Sequence, residues 1–185
     1  MSPLGKVVIG FVLVIVDFRI DTFDLVPDVV GWVVVLSGLM ALAGRSRGFT
    51  VAAAAAGTAL LLALVDLVAE PGTVLGMLGT VTATAVVFGT CTGVRALVAD
   101  PSVRRTADRI RWADLVLTGI AIALGLAAGG EEVSVQGAAV GPLLVLVLVA
   151  LAVVVWFLVF LWSLRHRPEL VSGLGTADGL EPGTP

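Results

Sequence analysis

The sequence contains one cysteine, one histidine and no tyrosine, and only 14% of its 185 residues are charged. The single cysteine, Cys91, excludes an internal disulfide and a multi-cysteine metal site, and its surroundings favour a buried structural thiol. The single histidine, His166, lies in a basic cluster after the last apolar segment, so no histidine base is available among the apolar segments. We find no catalytic residues, metal motif or cofactor motif, and we expect a protein that is not an enzyme.

Hydrophobic residues make up 58% of the chain, and its mean hydropathy is +1.10. Soluble domains are nearer 45–50% apolar and about 25% charged, so this composition is typical of integral membrane proteins. We therefore predict an all-α transmembrane helical bundle whose main partner is the lipid bilayer, and we expect no nucleic-acid partner.

Six segments approach or reach the roughly 20 apolar residues that a helix needs to cross a bilayer. They are residues 4–20, 27–44, 49–69, 73–99, 112–129 and 138–164. Lys6 precedes the first segment as in a signal peptide, but no small-residue cleavage site follows it. The first segment is therefore predicted to be an uncleaved span.

The distribution of charge predicts the topology. If six spans are threaded, every Lys and Arg residue except Arg19 falls on one side of the membrane. The opposite side receives a set of acids: Asp17, Asp21, Asp24, Asp28, Asp66, Glu70, Glu131 and Glu132. Because cytoplasmic loops carry the excess of positive charge, both termini are predicted to be cytoplasmic.

Two segments lie outside the predicted spans. Asp100 and Pro101 resemble an N-cap and first residue of a helix, so residues 101–111 are predicted to form a short interfacial helix. Its basic residues would contact anionic lipid, and they are Arg104, Arg105, Arg109 and Arg111. A solvated loop is the alternative. Residues 165–185 lack hydrophobic periodicity and are predicted to be a disordered cytoplasmic tail.

Small residues at helical spacing indicate close helix packing. The fourth span carries Gly89 and Gly93, and the fifth carries Gly125 and Gly129. Packing within one chain is the favoured interpretation. Contacts between protomers, or with another membrane protein, are the alternative.

The densest charge in the chain lies between the first two spans. Four aspartates and one arginine fall within twelve residues beside apolar runs, and charge placed there needs a structural or functional reason. Pro27 is expected to open the second span, with Asp28 in its first turn near the positive end of the helix dipole. The candidate ligand or ion site comprises Asp17, Arg19, Asp21, Asp24, Asp28 and, from the end of the third span, Asp66.

Two hypotheses account for this acidic junction. In the first, Arg19 and the aspartates form a structural clamp between the first two spans, with Phe23 and Trp32 as anchors at the membrane interface. In the second, the acids line an outward-facing polar vestibule that binds a cation or a basic ligand.

The run from Asp17 to Trp32 fits the pattern D-x-R-I-x-x-F-D-x-x-P-D-x-x-G-W. In this it resembles the N-terminal signature of small uncharacterised multi-pass membrane proteins of Gram-positive bacteria, and the Ala-, Val-, Gly- and Arg-rich composition is similar to that of actinobacterial proteins. The resemblance covers about sixteen residues and implies a bacterial plasma-membrane location. It implies no particular activity.

The sequence therefore favours a non-enzymatic accessory or interaction protein of the membrane. The alternative is a transporter or channel component that binds a cation or basic ligand at residues 17–28. Asp66 and Asp114 lie near opposite membrane surfaces and leave the middle of the bilayer empty, so they are not expected to form a proton relay.

Overall fold

A computed structural model describes residues 1–16, 19–20, 23–24, 28–68, 72–127, 140–167 and 170. These residues form six helices and one pair of two-residue strands. The elements are α1 (Pro3–Val16), β1 (Arg19–Ile20), β2 (Phe23–Asp24), α2 (Asp28–Ala43), α3 (Arg47–Asp66), α4 (Thr73–Leu97), α5 (Pro101–Ala127) and α6 (Val140–Leu164). The predicted all-α class is confirmed.

Four of the helices, α3 to α6, are long and apolar enough to cross a membrane. The remaining two are shorter, since α1 has 14 residues and α2 has 16. At 1.5 Å per residue they span about 21 and 24 Å, less than the roughly 30 Å of a hydrocarbon core. The chain is thus a small helical protein with four candidate membrane spans, and α1 and α2 cross a bilayer only where it is thin or where other residues extend them.

Each helix packs against the next one along the chain, and α6 also contacts α1. The contact between α1 and α6 includes an aromatic cluster in which Phe11 meets the rings of Trp32 and Phe157 edge-on, with centroids 5.7 and 5.6 Å apart. Trp32 is only 7% exposed. The expectation that Trp32 anchors the membrane interface is therefore wrong, because its ring packs inside the bundle.

Glycines set the spacing of two helix pairs. Between α1 and α2, a Cβ placed on Gly31 would lie 2.5 Å from a methyl of Val14 and 2.9 Å from the carbonyl oxygen of Gly10. Between α3 and α4, a Cβ on Gly89 would lie 2.9 Å from the carbonyl oxygen of Gly48. Real Cβ atoms are not found this close to other atoms, so the backbones approach because these side chains are missing.

The segment 101–111 does not form a separate interfacial helix, because α5 runs without a break from Pro101 to Ala127. Its apolar positions Val103, Ala107 and Ile110 are buried inside the protein rather than turned to lipid. No proline or glycine lies between residues 101 and 119 to interrupt the helix. The basic segment is therefore the first part of a candidate span.

The start of the predicted tail packs against the bundle. Leu170 is 1% exposed, and its carbonyl oxygen accepts a hydrogen bond from Nη1 of Arg45 at 2.7 Å. This ties the chain after α6 to the turn between α2 and α3, where disorder was predicted from residue 165. The tail residues 168–169 and 171–185 lie outside the described residues.

Candidate functional site

Much of the predicted acidic junction lies outside the described residues, and Asp17 and Asp21 are among the residues concerned. For Arg19 and Asp24 the structure describes the backbone, where β1 and β2 pair antiparallel. The register places Arg19 directly opposite Asp24. β1 and β2 therefore form a short antiparallel ladder, in which Arg19 and Asp24 of the predicted site occupy paired positions.

The other two members of the predicted site lie at helix ends. Asp28 is the first residue of α2 and is partly buried, so its carboxylate lies near the positive end of that helix dipole. Asp66 is the last residue of α3 and is exposed. Consecutive helices joined by a short turn run antiparallel, so the start of α2 and the end of α3 lie at the same end of the bundle.

A second charged cluster joins α4 to α5. Oδ1 of Asp108 forms ion pairs with Nη1 of Arg95, 3.0 Å away, and with Nη2 of Arg111, 2.9 Å away. The Arg111 guanidinium also lies 5.1 Å from the ring centre of Phe88 and 5.7 Å from that of Trp112. We call Arg95, Asp108 and Arg111 the α4–α5 ion cluster.

The sequence analysis did not single out Asp108 or Arg95, and it assigned Arg111 to the lipid-facing set. The Arg111 side chain is only 16% exposed and is paired within the chain. Arg104, Arg105 and Arg109 are exposed, as a lipid-contacting set requires. The spacing of Asp108 and Arg111, three apart on a helix, is the sequence signal that could have revealed the pair.

The link between α4 and α5 is capped and paired. Oδ1 of Asp100 accepts from the backbone N–H of Ser102 at 2.9 Å and from its hydroxyl at 2.7 Å. Its Oδ2 lies 3.3 Å from Nη2 of Arg167, beyond the end of α6. The hydrogen bonds from Ser102, and then the bond and charge of Arg167, hold the pKa of the Asp100 carboxyl below its ordinary value of 3.8.

We expect the Asp100→Asn variant to lower the apparent melting temperature in detergent at pH 7, with the difference from wild type shrinking below about pH 4. A carboxyl whose pKa is depressed by folding stabilises the protein above its unfolded pKa, and this contribution is lost as the pH falls through the lower, folded value. Asparagine still caps the helix, so the variant removes mainly the charge. Thermal unfolding from pH 7 to pH 3 measures the effect, and identical pH profiles for the two proteins would contradict it.

A cleft of about 210 Å³ opens between α5 and α6 beside α4, and Asp114, Thr80 and Thr118 form its polar lining. Thr118 shares a hydrogen bond of 2.5 Å with Thr84 of α4. Asp114 lies about one turn beyond Arg111 of the α4–α5 ion cluster. It is also the middle residue of α5, and the interfacial position expected for it from the sequence stays a prediction.

A second cleft, of about 350 Å³, lies between the first turns of α5 and the last turns of α6. Ser102, Thr106 and Arg167 lie along its polar part. Trp156 and Phe160 lie along its apolar part. We call it the α5–α6 cleft.

Three of the four glycines that were predicted to pack between helices lie in such contacts. Gly89 and Gly93 lie against α3 of the same chain, where a Cβ on Gly93 would meet the Phe49 ring at 2.7 Å. Gly125 faces the methyl of Met77, and Gly129 lies outside the described residues.

Cys91 is fully buried. Within the part of the chain that the structure describes, no group of three His, Cys, Asp or Glu residues is arranged to hold a metal ion.

Comparison with protein-family models, with curated proteins and with solved structures gave no match for this chain.

Proposed function

We propose that the protein is a six-span protein of the bacterial plasma membrane, with both termini in the cytoplasm, that acts as a non-enzymatic accessory or interaction subunit. Four long apolar helices and the one-sided distribution of Lys and Arg support this arrangement. In it, α1 and α2 are the short first two spans, and the β1–β2 ladder between them lies on the outer side.

The observation that carries the non-transporting role is how the buried hydroxyls are satisfied. The buried polar residues of the described chain are Thr82, Thr84 and Thr90. Thr82 and Thr90 donate to carbonyls of their own helix, and Thr84 bonds to Thr118. A transport path needs polar groups aligned through the bundle, whereas these hydroxyls are already bonded within it.

The acidic junction then serves as a clamp on the α1–α2 hairpin. The support for this role is the backbone register that places Arg19 opposite Asp24, since directly opposed residues of unlike charge stabilise an antiparallel pair. Asp28 adds a favourable interaction at the start of α2.

The alternative is a transporter or channel component that holds a cation or basic ligand at residues 17–28. The observation that favours it is the charge count, because four aspartates share this segment with one arginine. A site of that kind would be an outward vestibule and would require water to reach Asp17.

Cysteine accessibility separates the two functions. In a Cys91→Ala background, single cysteines at positions 13 to 32 are exposed to a membrane-impermeant thiol reagent in intact cells. We expect labelling confined to the turn around Asp21 and Asp24, because a paired clamp excludes water from the span below it. Labelling that continues inward past Asp17 would favour the vestibule.

The matched control is Arg104→Cys, at an exposed position on the predicted cytoplasmic side. It should label only after the cells are permeabilised. Labelling of this cysteine in intact cells would overturn the proposed topology independently of the result at the acidic junction.

A further inference from the structure

The α5–α6 cleft has two chemically different ends. Ser102, Thr106 and Ser163 supply hydroxyls near Arg167 at one end. Trp156, Val159 and Phe160 supply an apolar wall along α6 at the other. A ligand that fills this cleft must itself be polar at one end and apolar at the other.

Positive charge continues from the polar end along α5. Arg105 follows Ser102 by three residues, and Arg109 follows Thr106 by three, so these arginines are next neighbours of the cleft hydroxyls on the helix surface. Both arginines are exposed. Arg104, four residues before Asp108, belongs instead to the side of α5 that bears the α4–α5 ion cluster.

The charges around the polar end do not cancel. Arg167 is paired with Asp100, the acid adjoining this end of the cleft. Arg105 and Arg109 bring two further positive charges, and neither takes part in the ion pairs found among the described residues. The polar end is therefore suited to an anion, and guanidinium groups bind phosphate through several N–H donors at once.

The cleft hydroxyls do not donate to an anion. Thr106 donates to the carbonyl of Ser102 at 3.0 Å, and Ser163 donates to that of Phe160 at 2.7 Å. Their protons are therefore used within the helices, and the positive charge for an anion comes from the arginines. Arg167 contacts Asp100 through Nη2, and a guanidinium has five N–H donors in all.

The apolar end opens toward the exposed side of α6. Trp156 is 41% exposed and Val159 is 61% exposed, and they continue into a helix that is apolar almost throughout. A soluble anion would leave this wall uncovered. The acyl chain of a lipid would cover this wall and would stay within the hydrocarbon core of the bilayer.

We propose that the α5–α6 cleft binds an anionic phospholipid of the cytoplasmic leaflet. The phosphate lies at Arg105, Arg109 and Arg167, and one acyl chain lies along Trp156, Val159 and Phe160. The site rests on the proposed membrane placement, since it requires the first turns of α5 to lie at the inner membrane surface. This defined site differs from the lipid contact expected from the sequence, which was a general attraction of a basic helix to anionic lipid.

The test uses the full chain reconstituted in nanodiscs of equimolar phosphatidylglycerol and phosphatidylcholine. Native mass spectrometry after release from the disc counts each retained lipid. We expect wild type to retain phosphatidylglycerol preferentially. Arg105→Gln with Arg109→Gln should lower that preference about tenfold or more, as removal of two basic residues at an anionic surface predicts.

The matched control is Arg47→Gln with Arg104→Gln, which removes the same charge at exposed positions away from the cleft. It should keep the wild-type preference. Equal losses in the two double variants would mean diffuse charge attraction and would overturn the site.

A second pair of variants tests the apolar end. Val159→Trp fills the cleft without changing charge and should also abolish retention, whereas Val155→Trp, at an exposed position one turn earlier that does not line the cleft, should not. Retention that survives Val159→Trp would mean that the arginines bind phosphate alone, and the acyl-chain part of the proposal would be wrong. Failure of the protein to enter nanodiscs at all would instead refute the membrane placement.

Discussion

We expect Gly48→Ala to lower the free energy of unfolding by about 2–3 kcal/mol, the upper part of the roughly 1–3 kcal/mol typical of forcing an extra carbon into a packed contact. A Cβ on Gly48 would lie 2.8 Å from the carbonyl oxygen of Gly89 and would also meet the backbone of Gly93. These neighbours are backbone atoms of α4, so no side-chain rotation relieves the clash. The two helices must separate, and the surrounding contacts are lost.

Gly57→Ala is the control, because Gly57 lies in the same helix and has no atom within 4 Å of its would-be Cβ. Alanine is the better helix former by about 1 kcal/mol, so this variant should match wild type or exceed it. The midpoint of unfolding in SDS, measured from mixed micelles, compares the three proteins. Equal stability of the two variants would mean that α3 and α4 do not pack through Gly48.

The second large effect concerns the α4–α5 ion cluster, where Asp108→Asn should cost about 2 kcal/mol. The substitution leaves two guanidinium groups beside a neutral amide, and Arg111 is mostly buried against Phe88. Removing the anion from a fully buried pair costs about 3–5 kcal/mol, while exposed pairs contribute less than about 1. Arg95 and Asp108 are each about one-third exposed, so an intermediate value is expected.

A double-mutant cycle that combines Asp108→Asn with Arg95→Gln measures the interaction energy between these two side chains. In the double variant Arg95→Gln, Asp108→Asn, Arg111 is the only cation left in the cluster, and no second guanidinium repels it. The double variant should therefore lose less stability than the two single variants lose when their losses are added. Asp66→Asn removes an exposed aspartate outside the cluster and should change stability by less than about 0.5 kcal/mol. Strictly additive losses would show that Arg95 and Asp108 act independently.

The sequence predicted features that depend on neighbouring residues and on bulk hydropathy. The start of α5 at Asp100 and Pro101 follows from local capping chemistry, and the structure has the expected hydrogen bond to Ser102. The long apolar helices follow from composition. Helix class and most helix positions could be predicted because each requires only the residues within a few turns.

Features that depend on distant residues could not be predicted in this way. Arg95 meets Asp108 only because α4 and α5 pack side by side, and Arg45 meets Leu170 across most of the chain. Trp32 was expected at the membrane surface because tryptophan is common there, yet the aromatic cluster with Phe11 gives it a buried position. Composition cannot distinguish these two environments.

For the predicted acidic junction, the sequence and the structure give complementary information. The structure adds the register that places Arg19 opposite Asp24. The positions of Asp17 and Asp21 lie outside the described residues, so the choice between clamp and vestibule depends on the accessibility experiment.

The glycine contacts described above also determine which parts of the bundle can move as units. Helices whose backbones touch through Gly10 and Gly31, or through Gly48 and Gly89, cannot rotate or slide without separating, since any shift brings side chains into the contact. We therefore expect the two helices of each pair, α1–α2 and α3–α4, to move together. The described glycines of α5 and α6 meet no backbone atom of another helix, so a change in shape is expected to move these two helices, of which α5 is about 40 Å long.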